Sequence, residues 1–289
     1  MNFERSVEDL GNVVHLEHVN LRVPDQIIAT QFYVSALGLT RDPYLMTGVD
    51  NMWVNAGRTQ FHLPVGDAQR LRGTISLVMP DRSALLQRLH RLAPALAHTD
   101  FAFEEHPDFV QLRCPWGNRL RCIQSDGKRF GGTVLGITQI EFDVPPGSAQ
   151  GIARFYREVV ATSATAATAG TDGHAVPQAT VQVGAGQSLV FRETSLPLPN
   201  YDGHHIQVYV ADFSGMHQRL QKLRAVSEES DQHQYRFLDI TDPTTGTALF
   251  RIEHEVRSMT HPLFARPLIN RNPAQSNRGY RPGRDMFVP

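Results

Sequence analysis

The chain has 289 residues, with 28 Lys and Arg against 29 Asp and Glu. That balance gives no overall field for collecting nucleic acid or an anionic membrane surface. No apolar run approaches the roughly 18 residues a membrane helix needs. The opening MNFERSVEDLGNVV mixes both charge signs and lacks the apolar stretch of a secretory signal, and the two cysteines, Cys114 and Cys122, are too few for a disulfide framework. The expectation is a cytoplasmic protein, monomer or homodimer, that meets a small-molecule substrate and neither nucleic acid nor membrane. Thirteen histidines stand out. Imidazole is the commonest metal ligand and the usual proton carrier near neutrality, so their positions matter.

In chain order, HLEHVNLRV (15–23) alternates from Glu17 onward. Val19, Leu21 and Val23 share one face; His18, Asn20 and Arg22 share the other. That period of two predicts a half-buried strand. PDQIIATQFYVSALGL follows as a helix, with Asp25 as N-cap, Ile28, Phe32 and Leu37 on one face, and Gly38 as the stop. GRTQFHLP (57–64) then places His62 on a face with Gln60. The strand–helix pair recurs at 73–92, with Asp81 near the cap and Leu85, Leu86 and Leu89 in the helix. It recurs again at 136–160, and at 204–223 with Asp212 near the cap. The strand positions that line up are His18, Thr74, Gln139 and His205.

The copies sort into two kinds. The first and third carry a Phe-Tyr pair in the helix, ATQFY and IARFY. The second and fourth end in a hairpin, CPWGNRLRCIQ (114–124) and DPTTGTALFRIE (242–253). This alternation predicts a duplicated two-module domain of class α+β, with four strand–helix–strands modules. The domains are expected over 13–130 (modules 13–66 and 72–126) and 134–256 (modules 134–196 and 202–256). Residues 161–180, small and polar, read as a flexible insert. Residues 257–289 read as an extended C-terminal arm with apolar anchors Leu263, Phe264, Leu268, Ile269, Tyr280, Met286 and Phe287.

The opening LEHVNLRVPDQIIATQFYVSALGL and the hairpin PWGNRLRCIQ resemble the vicinal oxygen chelate (VOC) superfamily: glyoxalase I, bleomycin-resistance proteins and extradiol dioxygenases. The resemblance spans about residues 13–255. It implies paired βαβββ modules in two glyoxalase-like domains, with mixed sheets curled into clefts. It also implies metal ligands on the first and last strands of the two modules that share a cleft, and a metal that chelates two neighbouring substrate oxygens. Carried over by position, the ligand places are His18 and His62 in module one and Thr74 and Arg121 in module two. In module three they are Gln139 and Phe191, and in module four His205 and Phe250, where the family usually has Glu. Pairing of sequence neighbours would give two poor sites. Pairing module one with module four collects His18, His62 and His205. Glu253 is the nearest acid and is carried as a fourth candidate ligand, although three residues from Phe250 puts it on the opposite face of a regular strand.

Three imidazoles suit Zn, Fe, Ni or Cu. The cofactor expected is a divalent ion of open identity (Zn, Fe, Ni or Mn), with no cofactor as the alternative. Candidate catalytic residues are Arg22 as an anion holder, Tyr209 as a proton donor, and Gln207, which shares the face of His205. The resemblance implies a metal-dependent lyase, isomerase or dioxygenase. The rival is a metal-free binding protein that sequesters or senses a small molecule, and a third reading is a scaffold with filled clefts. A lone strand histidine is usually structural, a strand-end arginine usually pairs at the rim, and a tyrosine is usually core. No GxSxG offers a nucleophile, and the GAG at 184–186 is too short for a phosphate loop.

Overall fold

A computed structural model of the chain describes residues 3–45, 50–170 and 175–269. One strand, one helix and three strands follow one another four times. The first run is β1 (Val13–Asn20), α1 (Gln26–Ala29) continuing as a π turn over Thr30–Ala36, β2 (Thr40–Arg41), β3 (Asn51–Ala56) and β4 (Thr59–Pro64). The second is β5 (Gly73–Met79), α2 (Arg82–Leu96), β6 (Ala102–Glu105), β7 (Phe109–Arg113) and β8 (Arg119–Gln124). The third is β9 (Gly136–Val144), α3 (Ala149–Phe155) with a π turn over Tyr156–Val160, β10 (Ala164–Ala169), β11 (Val176–Gly184) and β12 (Gln187–Glu193). The fourth is β13 (His205–Val210), α4 (Phe213–Lys222), β14 (Val226–Asp231), β15 (Gln234–Thr241) and β16 (Ala248–Ser258).

The strands form two open eight-stranded mixed sheets, ordered β14-β15-β16-β13-β1-β4-β3-β2 and β10-β11-β12-β9-β5-β8-β7-β6. The class is α+β. In the first sheet β1 neighbours β13, and in the second β5 neighbours β9. Among the described residues no helix is long and apolar enough to cross a membrane.

Local chemistry starts the helices where expected. The Asp25 carboxylate accepts from the amides of Ile27 and Ile28, Asp81 from Ala84, and Asp212 from Gly215. The two Phe-Tyr pairs explain the π turns. Phe32 and Tyr33 are both fully buried, as are Phe155 and Tyr156. The wider turn brings two successive aromatic rings to the same buried side.

The expected flexible insert at 161–180 is largely strand instead. β10 and β11 pair antiparallel from Ala164 opposite Val181 to Ala169 opposite Val176. The alternation that marks a strand sits on β11, where Ala179, Val181 and Val183 are buried. The Ala and Thr of β10 lie on a sheet edge and need little apolar character.

Two compact units divide the chain. One holds Glu17–Glu141, Asn200–Ile206 and the chain from Ala265. Its core includes Phe32, Tyr33, Phe61, Leu77, Leu89 and Leu120. The other holds the chain up to Leu16, Phe142–Pro199 and Gln207–Phe264. Its core is aromatic, with Phe142, Phe191 and Phe250 in mutual ring contact and Phe155 against Phe237. β16 runs through Ser258, so the extended arm begins later than residue 257. Of its expected anchors, Phe264 packs on Tyr209 at 4.9 Å between ring centroids. Tyr280, Met286 and Phe287 lie outside the described residues.

Candidate metal centre

Strand register builds the centre. β1 and β4 run parallel, with His18 opposite Gln60 and Asn20 opposite His62. β3 and β4 run antiparallel, with Trp53 opposite His62 and Asn55 opposite Gln60. Register partners project to the same face, so His18, Trp53, Asn55, Gln60 and His62 share one. Their contacts agree. The Trp53 indole stacks on His62 at 3.7 Å, and the His18 ring meets Trp53 edge-on at 4.9 Å.

His205, first residue of β13, completes the group. One ring nitrogen from each of His18, His62 and His205 lies within 4.8 Å of the other two. Ring centroids are 5.8 Å apart for His18 and His62, and 6.0 Å apart for His18 and His205. His18 is fully buried and His205 nearly so. Among the described residues this is the one such group of three or more His, Cys, Asp or Glu side chains. Nitrogens at about 2.1 Å from a tetrahedral ion stand about 3.4 Å apart, so closing on an ion needs ring movements of at most an ångström or so. The donor set therefore fits a divalent ion. Two of the rings, those of His62 and His18, also have an orienting neighbour. His62 Nε2 is 2.6 Å from Asn51 Oδ1, and His18 Nδ1 is 3.5 Å from Glu17 Oε2. Partners of this kind fix tautomer and ring angle.

A polar floor lies beside the histidines. Gln60 donates its amide to Asp42 Oδ2 at 3.1 Å and to Asn55 Oδ1 at 2.6 Å. Asp42 also accepts from Arg266 Nη2 at 2.7 Å. Asn55 donates to the carbonyl of Ile269 at 3.1 Å. Burial works to raise the Asp42 pKa, but the Arg266 bond and the amides of Tyr44 and Leu45 hold it below the usual carboxylate range.

The remaining sequence candidates make the following contacts. Arg22 is exposed, and its guanidinium reaches the Asp202 carbonyl at 3.5 Å, which is the ordinary rim contact. Gln207 and Tyr209 belong to the other unit. The Gln207 side chain is fully buried there, and neither of its amide atoms finds a hydrogen-bond partner among the described residues. Tyr209 is buried against Phe264 and stacks near His15. Glu253 is ion-paired with Arg236 and is not in the histidine group. Of the other histidines, His204 bonds Asp202 at 2.6 Å, and burial sets its pKa below the ordinary value against the pull of that carboxylate. His254 bonds the Tyr156 hydroxyl at 2.6 Å.

Phe250, the expected ligand place in module four, faces the aromatic core. A β-bulge is the cause. Thr241 pairs with Ala248 but Ile240 pairs with Phe250, which leaves Leu249 as an extra residue. The matching hairpin of module two has no such step: Arg113, Leu112 and Gln111 pair in turn with Arg119, Leu120 and Arg121. The extra residue reverses the facing of Phe250 and Arg251, until a second shift between Arg251 and His254 restores it. Arg251, and not Phe250, is thus the counterpart of Arg121, and it pairs with Asp239 at 2.7 Å.

Sequence reasoning missed Trp53, Asn51, Asn55, Asp42 and Arg266. The alternation of NMWVNA, with Asn51, Trp53 and Asn55 opposite in face to Met52 and Val54, was the signal for three of them. Nothing local in the sequence ties Arg266 to Asp42.

No family model and no curated protein matches this chain. Solved structures do. A protein assigned as a dioxygenase from Bacillus subtilis matches at TM-score 0.55 and 13% identity, over 86% of each chain. Glyoxalase I from Zea mays matches at TM-score 0.55 and 10% identity, over 84% of this chain and 92% of that one. At such identities the likeness is one of fold alone.

Proposed function

We propose that this chain is a metal-dependent enzyme of the glyoxalase or dioxygenase kind, binding a small substrate by two neighbouring oxygens at His18, His62 and His205. The observation that carries this reading is the convergence of three imidazoles from strands far apart in sequence, within 4.8 Å of one another and mostly buried. Three protein ligands leave positions for two further oxygen donors. With Asn51 on Nε2 of His62, Nδ1 is the nitrogen for the metal. With Glu17 on Nδ1 of His18, Nε2 takes that part. The Trp53 ring stacks on His62 and restricts its rotation. A bound Zn, Fe, Ni or Mn ion would supply Lewis acidity toward the two oxygens.

One observation favours the rival, a metal-free protein that sequesters or senses a small molecule. Glu253 is engaged by Arg236, and among the described residues the group includes no carboxylate. Metal analysis separates the two readings. Untagged protein purified without chelator is titrated with zinc, alongside His18→Ala, His62→Ala and His205→Ala. The enzyme reading expects one equivalent in the wild type and at least a hundredfold weaker binding in each variant. Stoichiometry near zero, or variants that bind like wild type, would sink it.

A further inference from the structure

We propose that Arg266 holds a carboxylate of the molecule bound at the histidine group, which makes that molecule an acid with a second anionic end. This rests on the metal-centre reading above and adds its substrate class. Gln60 is the register partner of His18, so the two side chains stand on neighbouring strands about 4.8 Å apart on one face. Gln60 is hydrogen-bonded to Asp42, and Asp42 to Arg266. Arg266 thus reaches the floor of the centre two hydrogen bonds from the residue beside His18. Asn55 fixes the same segment by taking the Ile269 carbonyl.

Arg266 uses only part of its guanidinium in this contact. Nη2 pairs with Asp42, while Nε and Nη1 are buried and have no hydrogen-bond partner among the described residues. Buried charged donors left unmet are costly, and a carboxylate is the acceptor that matches guanidinium geometry and charge. Charge points the same way. Asp42 already offsets Arg266, and three neutral imidazoles offset none of the charge of a divalent ion. An incoming anion therefore meets net positive charge in a largely dry setting. A structural role for Arg266, tying the segment down through Asp42, accounts for Nη2 but leaves Nε and Nη1 unexplained.

The test compares ligands that share a chelating end and differ at the other. 2-Oxobutyrate offers a 2-oxo acid alone. Oxaloacetate, 2-oxoglutarate and 2-oxoadipate add a distal carboxylate at increasing reach. Calorimetry on the zinc-loaded full chain should show at least one diacid binding about tenfold or more tighter than 2-oxobutyrate. Arg266→Gln should remove that margin and leave 2-oxobutyrate and zinc affinities within about threefold, and Arg266→Lys should restore part of it. Diacids that bind no tighter than 2-oxobutyrate would overturn the proposal. So would an Arg266→Gln variant that weakens both ligand types equally, the mark of an anchor. Failure of the wild type to take up zinc in the separate metal titration would overturn the histidine reading instead, and the two failures are told apart by that titration.

Discussion

The Trp53 indole lies flat on the His62 imidazole, with centroids 3.7 Å apart and planes 13° from parallel. An ion held by His62 would therefore sit within energy- and electron-transfer range of an indole. The chain has two tryptophans, Trp53 and Trp116. Nickel or copper binding should quench a large part of the emission in the wild type and in Trp116→Phe. Trp53→Phe should lose most of the quenching while still binding metal by calorimetry. Quenching unchanged in Trp53→Phe would place the metal elsewhere.

Asn51 contacts His62 at Nε2. Its role is to orient the ring. Asn51→Ala should lower metal affinity about 10–100-fold with little change in folding stability, while Asn51→Asp, which keeps the acceptor, should retain most of it. Zinc competition against a chromophoric chelator reads both.

The histidines were legible because His18, His62 and His205 lie on strands whose period-two pattern is clean and uninterrupted. Where a strand carries a bulge the same counting fails. The extra residue Leu249 leaves no compositional mark, so counting from the hairpin gives Phe250 the face that belongs to Arg251. The insert at 161–180 failed for another reason: an edge strand of Ala and Thr has almost no apolar contrast to read. The Asp42–Arg266 pair is a contact between residues 224 apart in sequence. Only the fold brings them together, and a segment beyond the last strand has no periodicity to announce its partner.

Gly57 closes the tight turn between β3 and β4 and so sets the register that puts Trp53 opposite His62. Its φ is +62°, and a Cβ there would come 1.9 Å from the Leu135 carbonyl oxygen. Gly127 has a similar φ of +70° with nothing within 4 Å of the same position. Gly57→Ala adds a backbone clash to the conformational strain, so it should cost about 2–3 kcal/mol, against about 1 kcal/mol for Gly127→Ala. Urea denaturation of the two variants measures the difference. Equal costs would mean that the loop carrying Leu135 yields freely.

His254 makes stability depend on pH in a defined window. Its ring is buried, stacked on Phe237 at 4.2 Å and bonded to the Tyr156 hydroxyl. Burial, only partly countered by the Ile252 carbonyl, pushes its pKa from the ordinary 6.5 down to about 3. The unfolded chain takes up this proton near pH 6.5, and the folded chain only near pH 3. Between those values the unfolded state binds more protons, so stability falls as the pH falls. The contribution is whole above pH 6.5 and is lost progressively toward pH 3, at up to about 1.4 kcal/mol per pH unit. His254→Gln keeps a polar partner for Tyr156 but cannot titrate. Urea midpoints for wild type and variant at pH 7.5, 6.0 and 4.5 should diverge in slope, with the wild type falling more steeply below pH 6.5. Parallel slopes would show that carboxylates govern the acid limb and that His254 takes up its proton without unfolding the unit around it.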